Sequence, residues 1–248
     1  MKISIITVSF NAKDTIEKTL NSVSAQLGVQ IEHIVVDGLS TDGTLELLSQ
    51  YKDQLEVLIS ESDKGVYDAM NKGLRLATGD IIGFLNADDI YAHPDILIDV
   101  VSQFGDPNIQ AVFGDVEYFS SDNPSKTIRR YCSGEFTAKK LEIGIIPAHP
   151  TLYLRRSVYD RFGLFNPEYK IAGDFEFIAR IFKDNAVPYR YLPKVMVRMQ
   201  TGGLSNSGFM NNILKNREIK MACIENAIPT NSLKLLSRYP RKILEWIL

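Results

Sequence analysis

Hydrophobic positions in the first hundred residues alternate between short continuous runs and stripes at helical spacing. Residues 3–10 are apolar on both faces, as in a central parallel strand. Asp14-Thr-Ile-Glu17 reads as a capping box, and Ile16, Leu20, Val23 and Leu27 follow at helical period. The same alternation predicts strands over 31–37, 55–60 and 80–85. Helices are predicted over 44–51 and through Val66, Met70, Leu74 and Ala77, and His93-Pro94 opens another with proline at its first position. A βαβαβαβ series of this kind argues for a parallel sheet covered by helices. Further on, 110–119 and 151–155 read as strands, 173–183 as a helix and 189–198 as an extended segment. From about residue 206 the pattern turns helical and more basic, with Pro229 and Pro240 as breaks. The expected architecture is therefore α/β, Rossmann-like, with helices on both faces of a mostly parallel sheet. It divides into a main domain over 1–205 and a short helical C-terminal appendage over 206–248.

Composition narrows the function. The chain has 248 residues, 45% of them hydrophobic, and a net charge of −2. Charges of both signs are dispersed, and no clustered basic face suggests nucleic acid. Two cysteines, Cys132 and Cys223, make neither a disulfide framework nor a thiolate metal site, which fits a cytoplasmic setting. No run approaches the length of a spanning helix. The N-terminal apolar run reads as a strand and not as a signal segment.

Candidate chemistry collects at the ends of the predicted strands, where an open α/β sheet presents its crevice. The first ends in Thr7-Val-Ser9-Phe-Asn11. The second ends in Asp37-Gly-Leu-Ser40-Thr-Asp42-Gly-Thr44, where Asp37 can accept hydrogen bonds from a base or ribose. Turn chemistry alone also explains such a loop; three polar tips on one edge favour a ligand. The third strand leads to Asp63 and Lys64, then to a helix carrying Asn71, Lys72 and Arg75, whose cations suit a diphosphate or simply a solvated face. The fourth ends in Asn86-Ala87-Asp88-Asp89. Two adjacent carboxylates repel unless a cation or a proton relieves them, and hard oxygen ligands suit Mg²⁺ or Mn²⁺ with phosphate completing the shell.

The series TVSFN, VVDGLSTDGT, SDKGVYDAMNKGLRLATGD and FLNADD resembles the family-2 inverting glycosyltransferases of the GT-A fold. More narrowly, it is similar to bacterial members that build exopolysaccharides such as colanic acid. The likeness runs in order to about residue 200 and is specific as a set. It implies a nucleotide-diphosphate-sugar donor, with UDP the family expectation, and a divalent cation, Mn²⁺ or Mg²⁺. On that basis Asp37 and Asp63 contact the nucleotide, helped by Thr7, Ser9, Asn11, Lys64 and Asn71. Asn86, Ala87 and Asp88 stand where the family shows Asp-x-Asp, so Asp88 is the first metal ligand and Asp89 the second. Asn86 departs from the usual acid.

In the second half, Ile171-Ala-Gly-Asp-Phe-Glu-Phe177 resembles the segment with the catalytic aspartate, which places Asp174 as base and Glu176 as the other candidate. Relatives often carry Glu-Asp where this chain has Gly173-Asp174. A helix N-cap is the alternative role for Asp174. His149 stands in a segment flanking the site, and Gly202-Gly203 reads as a closing loop or a turn. The implied acceptor is a saccharide or lipid-linked saccharide hydroxyl. The basic, Trp-containing tail over 233–248 either packs on the core, the favoured reading, or lies on the inner face of the cell membrane.

Rival functions fare worse. A dinucleotide oxidoreductase needs Gly-x-Gly-x-x-Gly after the first strand, and Ser9 to Asp14 contains no glycine. A sugar-nucleotide pyrophosphorylase would want a glycine-rich basic loop there. A non-catalytic nucleotide-sugar-binding module remains, and the departures at Asn86 and Gly173 are what keep it open.

Overall fold

A computed structural model describes residues 1–201 and 208–239. The predicted alternation is present: β1 (Lys2–Ser9), α1 (Ile16–Ser24), β2 (Gln30–Asp37), α2 (Thr44–Gln50), β3 (Val57–Ser60), α3 (Val66–Leu76) and β4 (Ile81–Phe84) follow in turn. β1 pairs in parallel with β2 on one side and β4 on the other, and β2 with β3. The spatial order β3-β2-β1-β4 reverses at β1, which opens a crevice beyond the C-terminal ends of β1 and β4.

Both faces of β1 are buried because its residues split by parity between two cores. Ile3 and Ile5 join Val23 of α1, and Ile6 joins Met70 and Leu74 of α3. Gly73 lets α3 come this close, since a Cβ there would lie 2.4 Å from Ile6 Cγ2. Helices therefore cover both faces, as the continuous apolar runs require.

Beyond β4 the sheet changes character. β5 (Asp89–Tyr91) and α4 (Ile96–Gln103) lead to a hairpin of β6 (Ala111–Ser120) and β7 (Asn123–Tyr131). Next come β8 (Tyr153–Arg155), α5 (Arg156–Phe162), α6 (Gly173–Phe182) and β9 (Tyr189–Gln200). β8 joins β4 antiparallel, β6 joins β8 antiparallel, β9 runs parallel to β6, and β5 closes the far edge against β9. α7 (Gly208–Glu225) and α8 (Ser232–Leu236) follow. Ile219, Ala222 and Cys223 of α7 and Leu235 of α8 belong to the same core cluster as Ile6 and Phe175. The described part of the C-terminal region thus packs on the core, as favoured for the tail. Residue 205, the expected boundary, Gly202-Gly203 and the tail beyond 239 lie outside the described residues.

Three local expectations are corrected. No capping box forms: Thr15 is the residue before α1, and no side chain caps the helix. α1 stops at Ser24, so Leu27 is 64% exposed instead of extending the buried stripe. α4 starts at Ile96 after Asp95, leaving Pro94 outside, where its carbonyl accepts the Leu27 amide. The β7 strand went unread because its sequence, Asn-Pro-Ser-Lys-Thr-Ile-Arg-Arg-Tyr, is polar. It is a largely exposed strand with proline near one end, where proline is tolerated.

At the opposite end of the sheet, Glu32 ties three elements together. Its carboxylate accepts from Lys2 Nζ (2.6 Å), Ser4 Oγ (2.5 Å), the Thr78 amide (2.6 Å) and the Thr78 hydroxyl. Burial alone would raise this carboxyl's pKa, but the hydrogen bonds outweigh it and bring it down to about 2. A folded-state pKa below the unfolded value stabilises above the unfolded pKa and is lost as pH falls through the folded one. Glu32→Gln should therefore cost about 2 kcal/mol at neutral pH. In urea unfolding, the gap between wild type and variant should close as pH falls from 4.5 towards 2. A gap independent of pH would contradict the assignment.

Candidate active site at the strand tips

The ends of β1, β2 and β3 are knotted by one carboxylate. Ser9, Asp37 and Ser60 lie abreast in the strand register. Asp37 is fully buried and accepts from Ser9 Oγ (3.1 Å), Ser60 Oγ (2.7 Å), and the amide and hydroxyl of Ser40 (3.0 and 2.5 Å). Four donors fill the acceptor capacity of a carboxylate. Asp37 therefore fixes the loops that surround the crevice. The Asn11 amide donates to Ser40 Oγ, and its Oδ1 accepts the Thr41 amide at 2.9 Å, locking the two tips together. Asn11 does this at φ +50°, the left-handed region that asparagine tolerates. Asp42 accepts from the Lys13 amide and from Thr44, and its pKa is lowered chiefly by the Thr44 hydroxyl.

Beyond the β3 tip the chain reaches Asp63. It is half-buried, with Oδ1 accepting the Gly65 amide at 2.8 Å. Its Oδ2 lies 2.5 Å from where a Cβ on Gly38 would stand, so a side chain there would push the Asp63 carboxylate aside. The same point lies 3.3 Å from the Phe10 ring, which is 65% exposed beside the crevice. Leu39, 51% exposed at φ +60°, follows Gly38 in the same loop. Sequence reasoning passed over Phe10 and Leu39, although an apolar residue at a polar strand tip is a readable signal. Lys64 is exposed, and its amide bonds Asp68.

Two predicted residues turn inward. Thr7 is fully buried, and its hydroxyl meets His33 Nε2 at 3.0 Å. Asn71 is buried with both ends of its amide on the Phe165 backbone, at 2.8 and 3.0 Å. It positions the 163–171 loop. Lys72 is held by Glu61 (2.9 Å) and the Ser62 carbonyl (2.6 Å), and Arg75 is exposed.

At the β4 tip the acidic pair divides in two. Asp89 lies inside the sheet edge, paired with Met199 and accepting Asn86 Nδ2 at 2.9 Å. Its pKa stands well above the usual carboxylate range, through burial and then the charge of Asp88. Ala87 is buried against Ile16 and Leu20. Asp88 is half-buried, with its pKa raised by burial. Among the described residues no other side chain donates a hydrogen bond to the Asp88 carboxylate, and no group of three or more His, Cys, Asp or Glu forms a complete metal cage. Two repelling carboxylates with one reaching solvent fit a hard cation whose remaining ligands come from phosphate and water.

An aromatic cluster links this tip to the second half. Phe84 stacks on His149 (5.6 Å) and meets Phe165 edge-on (5.5 Å), and Phe165 lies 5.9 Å from Tyr67. Burial lowers the His149 pKa despite the opposing charge of Asp174, so a neutral imidazole sits beside that carboxylate. Asp174 is half-buried in the first turn of α6. Its Oδ1 accepts the Phe175 amide at 2.7 Å and lies 3.5 Å from the Tyr67 hydroxyl. Glu176, the other candidate, is buried and doubly bonded to Arg180 at 2.9 Å, which removes it from the crevice.

The segment before Asp174 is gripped from two sides. The Tyr67 hydroxyl donates to the Ile171 carbonyl at 2.8 Å. From α7, the buried Glu218 accepts three successive amides, those of Lys170, Ile171 and Ala172, at 2.9, 2.9 and 2.8 Å. A Cβ on Gly173 would stand 2.7 Å from the Tyr67 ring, so the departure from Glu-Asp follows from the room this ring takes. Tyr67 and Glu218 were both missed, since each acts across a long stretch of chain. Glu218→Gln halves the acceptor set and turns an amide N–H towards backbone donors, at a cost of about 2 kcal/mol. Amide exchange at 170–172 should then quicken by about tenfold or more. Glu225→Gln, at the end of the same helix, should leave those amides unchanged. Unaltered exchange in Glu218→Gln would contradict the grip.

Comparison with known proteins gives this geometry a family. Residues 4–162 match the description "Glycosyl transferase family 2". A PGL/p-HBAD biosynthesis glycosyltransferase of Mycobacterium bovis is 32% identical over 209 residues, spanning 82% of this chain and 79% of the relative. A Bacillus subtilis protein named for teichuronic acid biosynthesis, TuaG, is 42% identical over 90 residues, which is 35% of this chain and 36% of TuaG. Among solved structures, S. aureus TarS 1–349 in complex with UDP-GlcNAc superposes with TM-score 0.69 at 20% identity, covering 90% of this chain and 67% of that one. Full TarS is spanned to 40% of its length. The mannosyltransferase PcManGT of Pyrobaculum calidifontis, in complex with GDP-Man and Mn²⁺, gives 0.65 at 21% identity, over 90% and 63%. The structural likenesses establish the GT-A fold, and the sequence matches establish the family: this chain belongs to glycosyl transferase family 2.

Proposed function

We propose that the chain is an inverting glycosyltransferase that moves a sugar from a nucleotide-diphosphate donor, a UDP-sugar first, to a saccharide or lipid-linked saccharide hydroxyl in cell-surface glycan synthesis. The observation that carries this is the link between the two halves: Phe84, at the end of β4, stacks on His149, His149 feels the charge of Asp174, and Asp174 lies 3.5 Å from the hydroxyl of Tyr67 in α3. The relatives named for PGL/p-HBAD and teichuronic acid biosynthesis, and the neighbours in complex with UDP-GlcNAc and with GDP-Man and Mn²⁺, support the reading.

In this reading the nucleotide lies across the tips of β1 to β3. Phe10 offers its ring to the base, because an exposed aromatic face stacks on any base. Asp63 accepts from the base or ribose, with Ser9, Asn11 and Lys64 around it, while Asp37 keeps the loops in register. Asn86 and Ala87 set the floor beneath the diphosphate, and Asp88, with Asp89 behind it, would hold Mn²⁺ or Mg²⁺. When bound, that cation supplies positive charge where the leaving diphosphate gains negative charge. Asp174 takes the proton of the acceptor hydroxyl as its oxygen attacks the anomeric carbon. The bond to the diphosphate oxygen breaks on the opposite face, its electron pair leaves with the nucleotide, and the configuration inverts. His149, neutral, hydrogen-bonds the acceptor without competing for its proton. The site works on the cytoplasmic side of a membrane, where activated sugars are available.

Two measurements test this. Thermal melting with UDP-, GDP- and dTDP-sugars, with and without Mn²⁺, should show one nucleotide class raising Tm by several degrees only with metal present. A ligand at a hundredfold its Kd stabilises by about 2.7 kcal/mol. With the donor so identified, Asp174→Asn should lower kcat by about 10²–10⁴-fold while leaving the donor-induced shift intact. Glu176→Gln should melt earlier yet keep turnover. Unchanged kcat in Asp174→Asn would remove it as the base, and a wild type that binds donor but neither transfers nor hydrolyses it would replace this reading with a non-catalytic binding module.

A further inference from the structure

α7 carries a second, outward stripe unlike the face it buries. Glu218, Ile219, Ala222, Cys223 and Asn226 point into the protein. On the opposite side Met210, Ile213, Met221 and Ile224 are exposed by 73, 48, 39 and 67%. Their spacing of three, eleven and fourteen residues from Met210 holds them on one line, about 21 Å long at 1.5 Å per residue. Arg217 and Lys220, both exposed, lie within the same stripe. The acids of α7 are engaged elsewhere: Glu218 with the 170–172 amides, and Glu225 with the Tyr169 hydroxyl at 2.7 Å. The outward stripe is therefore apolar and positive, with Glu225, exposed but bonded to Tyr169, at its C-terminal edge. Single exposed apolar residues are ordinary, but four aligned ones with sorted charge are not.

We propose that this stripe is a docking face for an anionic lipid surface. The four apolar side chains would enter the boundary between headgroups and acyl chains, and Arg217 and Lys220 would meet the headgroup charge. Charge selects this occupant over a second copy of the chain. A two-fold contact through the stripe would bring Arg217 and Lys220 near their own counterparts, while the acid at its edge, Glu225, is already bonded to Tyr169. No helix among the described residues is long and apolar enough to cross a membrane, so the contact is peripheral. The inference does not depend on the sugar chemistry. The stripe is a face of a core helix, distinct from the tail over 233–248. Since the inner side of that helix grips the segment before Asp174, a docked α7 would hold the crevice next to lipid-borne acceptors.

The test is co-sedimentation of the full chain with vesicles of phosphatidylcholine alone or mixed with phosphatidylglycerol. Binding should require the anionic lipid and weaken with added salt. Arg217→Glu with Lys220→Glu should reduce partitioning by about thirtyfold or more, from about 1 kcal/mol per cation near the surface. Met221→Glu with Ile224→Glu should reduce it comparably, and Leu27→Glu, an exposed leucine elsewhere, should not. All the substituted residues are solvent-exposed, and unchanged melting temperatures would show that folding is intact. Three outcomes would overturn the proposal. One is no binding of the wild type to anionic vesicles. Another is wild-type binding that both α7 pairs leave unchanged. The third is a solution dimer that those pairs dissolve, which would make the stripe a protein interface.

Discussion

The grip on residues 170–172 is the constraint on which the site depends. In the proposed mechanism, donor-side strand tips and a base from the second half have to face one another, yet the two are far apart in sequence. Tyr67 begins a helix of the first half and bonds the Ile171 carbonyl; Glu218, from the last long helix, takes three amides of the same turn. Asp174 is left at the start of α6 with its carboxylate beside Tyr67 and His149. One buried carboxylate serving consecutive amides is strong because each bond is charge-assisted and none competes with water. The C-terminal helices are thus part of the scaffold of the candidate site, and the core they share with β1 and α6 reflects that.

What the sequence disclosed and what it withheld divide along physical lines. Period-2 and period-3.6 patterns are local, so β1 to β4 and their helices were legible, as was the strand edge that collects the polar tips. Fine helix ends were not. Asp14 and Glu17 have the residue types of a capping box, but the chain turns into α1 one residue later, at Thr15. β7 escaped because an exposed strand need not alternate. Residue roles were the least legible. Asp37 and Asn71 look like ligand contacts from their positions, yet one is saturated by serines and a backbone amide and the other by the Phe165 backbone. Only three-dimensional partners distinguish a carboxylate that meets a ligand from one that holds a loop.

The departures from the family pattern have local explanations. Gly173 is required by the room the Tyr67 ring takes. Asn86 donates to Asp89, a carboxylate buried within the sheet edge. An acid in place of Asn86 would add a third negative charge to a pair whose pKa values are already raised. Asn86 thus leaves Asp88 as the solvent-reaching acid of the strand tip.

The most direct test of the central claim is a hydrogen-exchange footprint of the full chain with saturating UDP and Mn²⁺. The account predicts slowed exchange at 9–12, 38–43, 61–66 and 85–89, the four strand tips, with little change over β7 and β9. Protection confined to the open groove of about 450 Å³ at the other edge of the sheet, lined by Glu117, Arg130, Lys194 and Arg198, would place the donor elsewhere and contradict it.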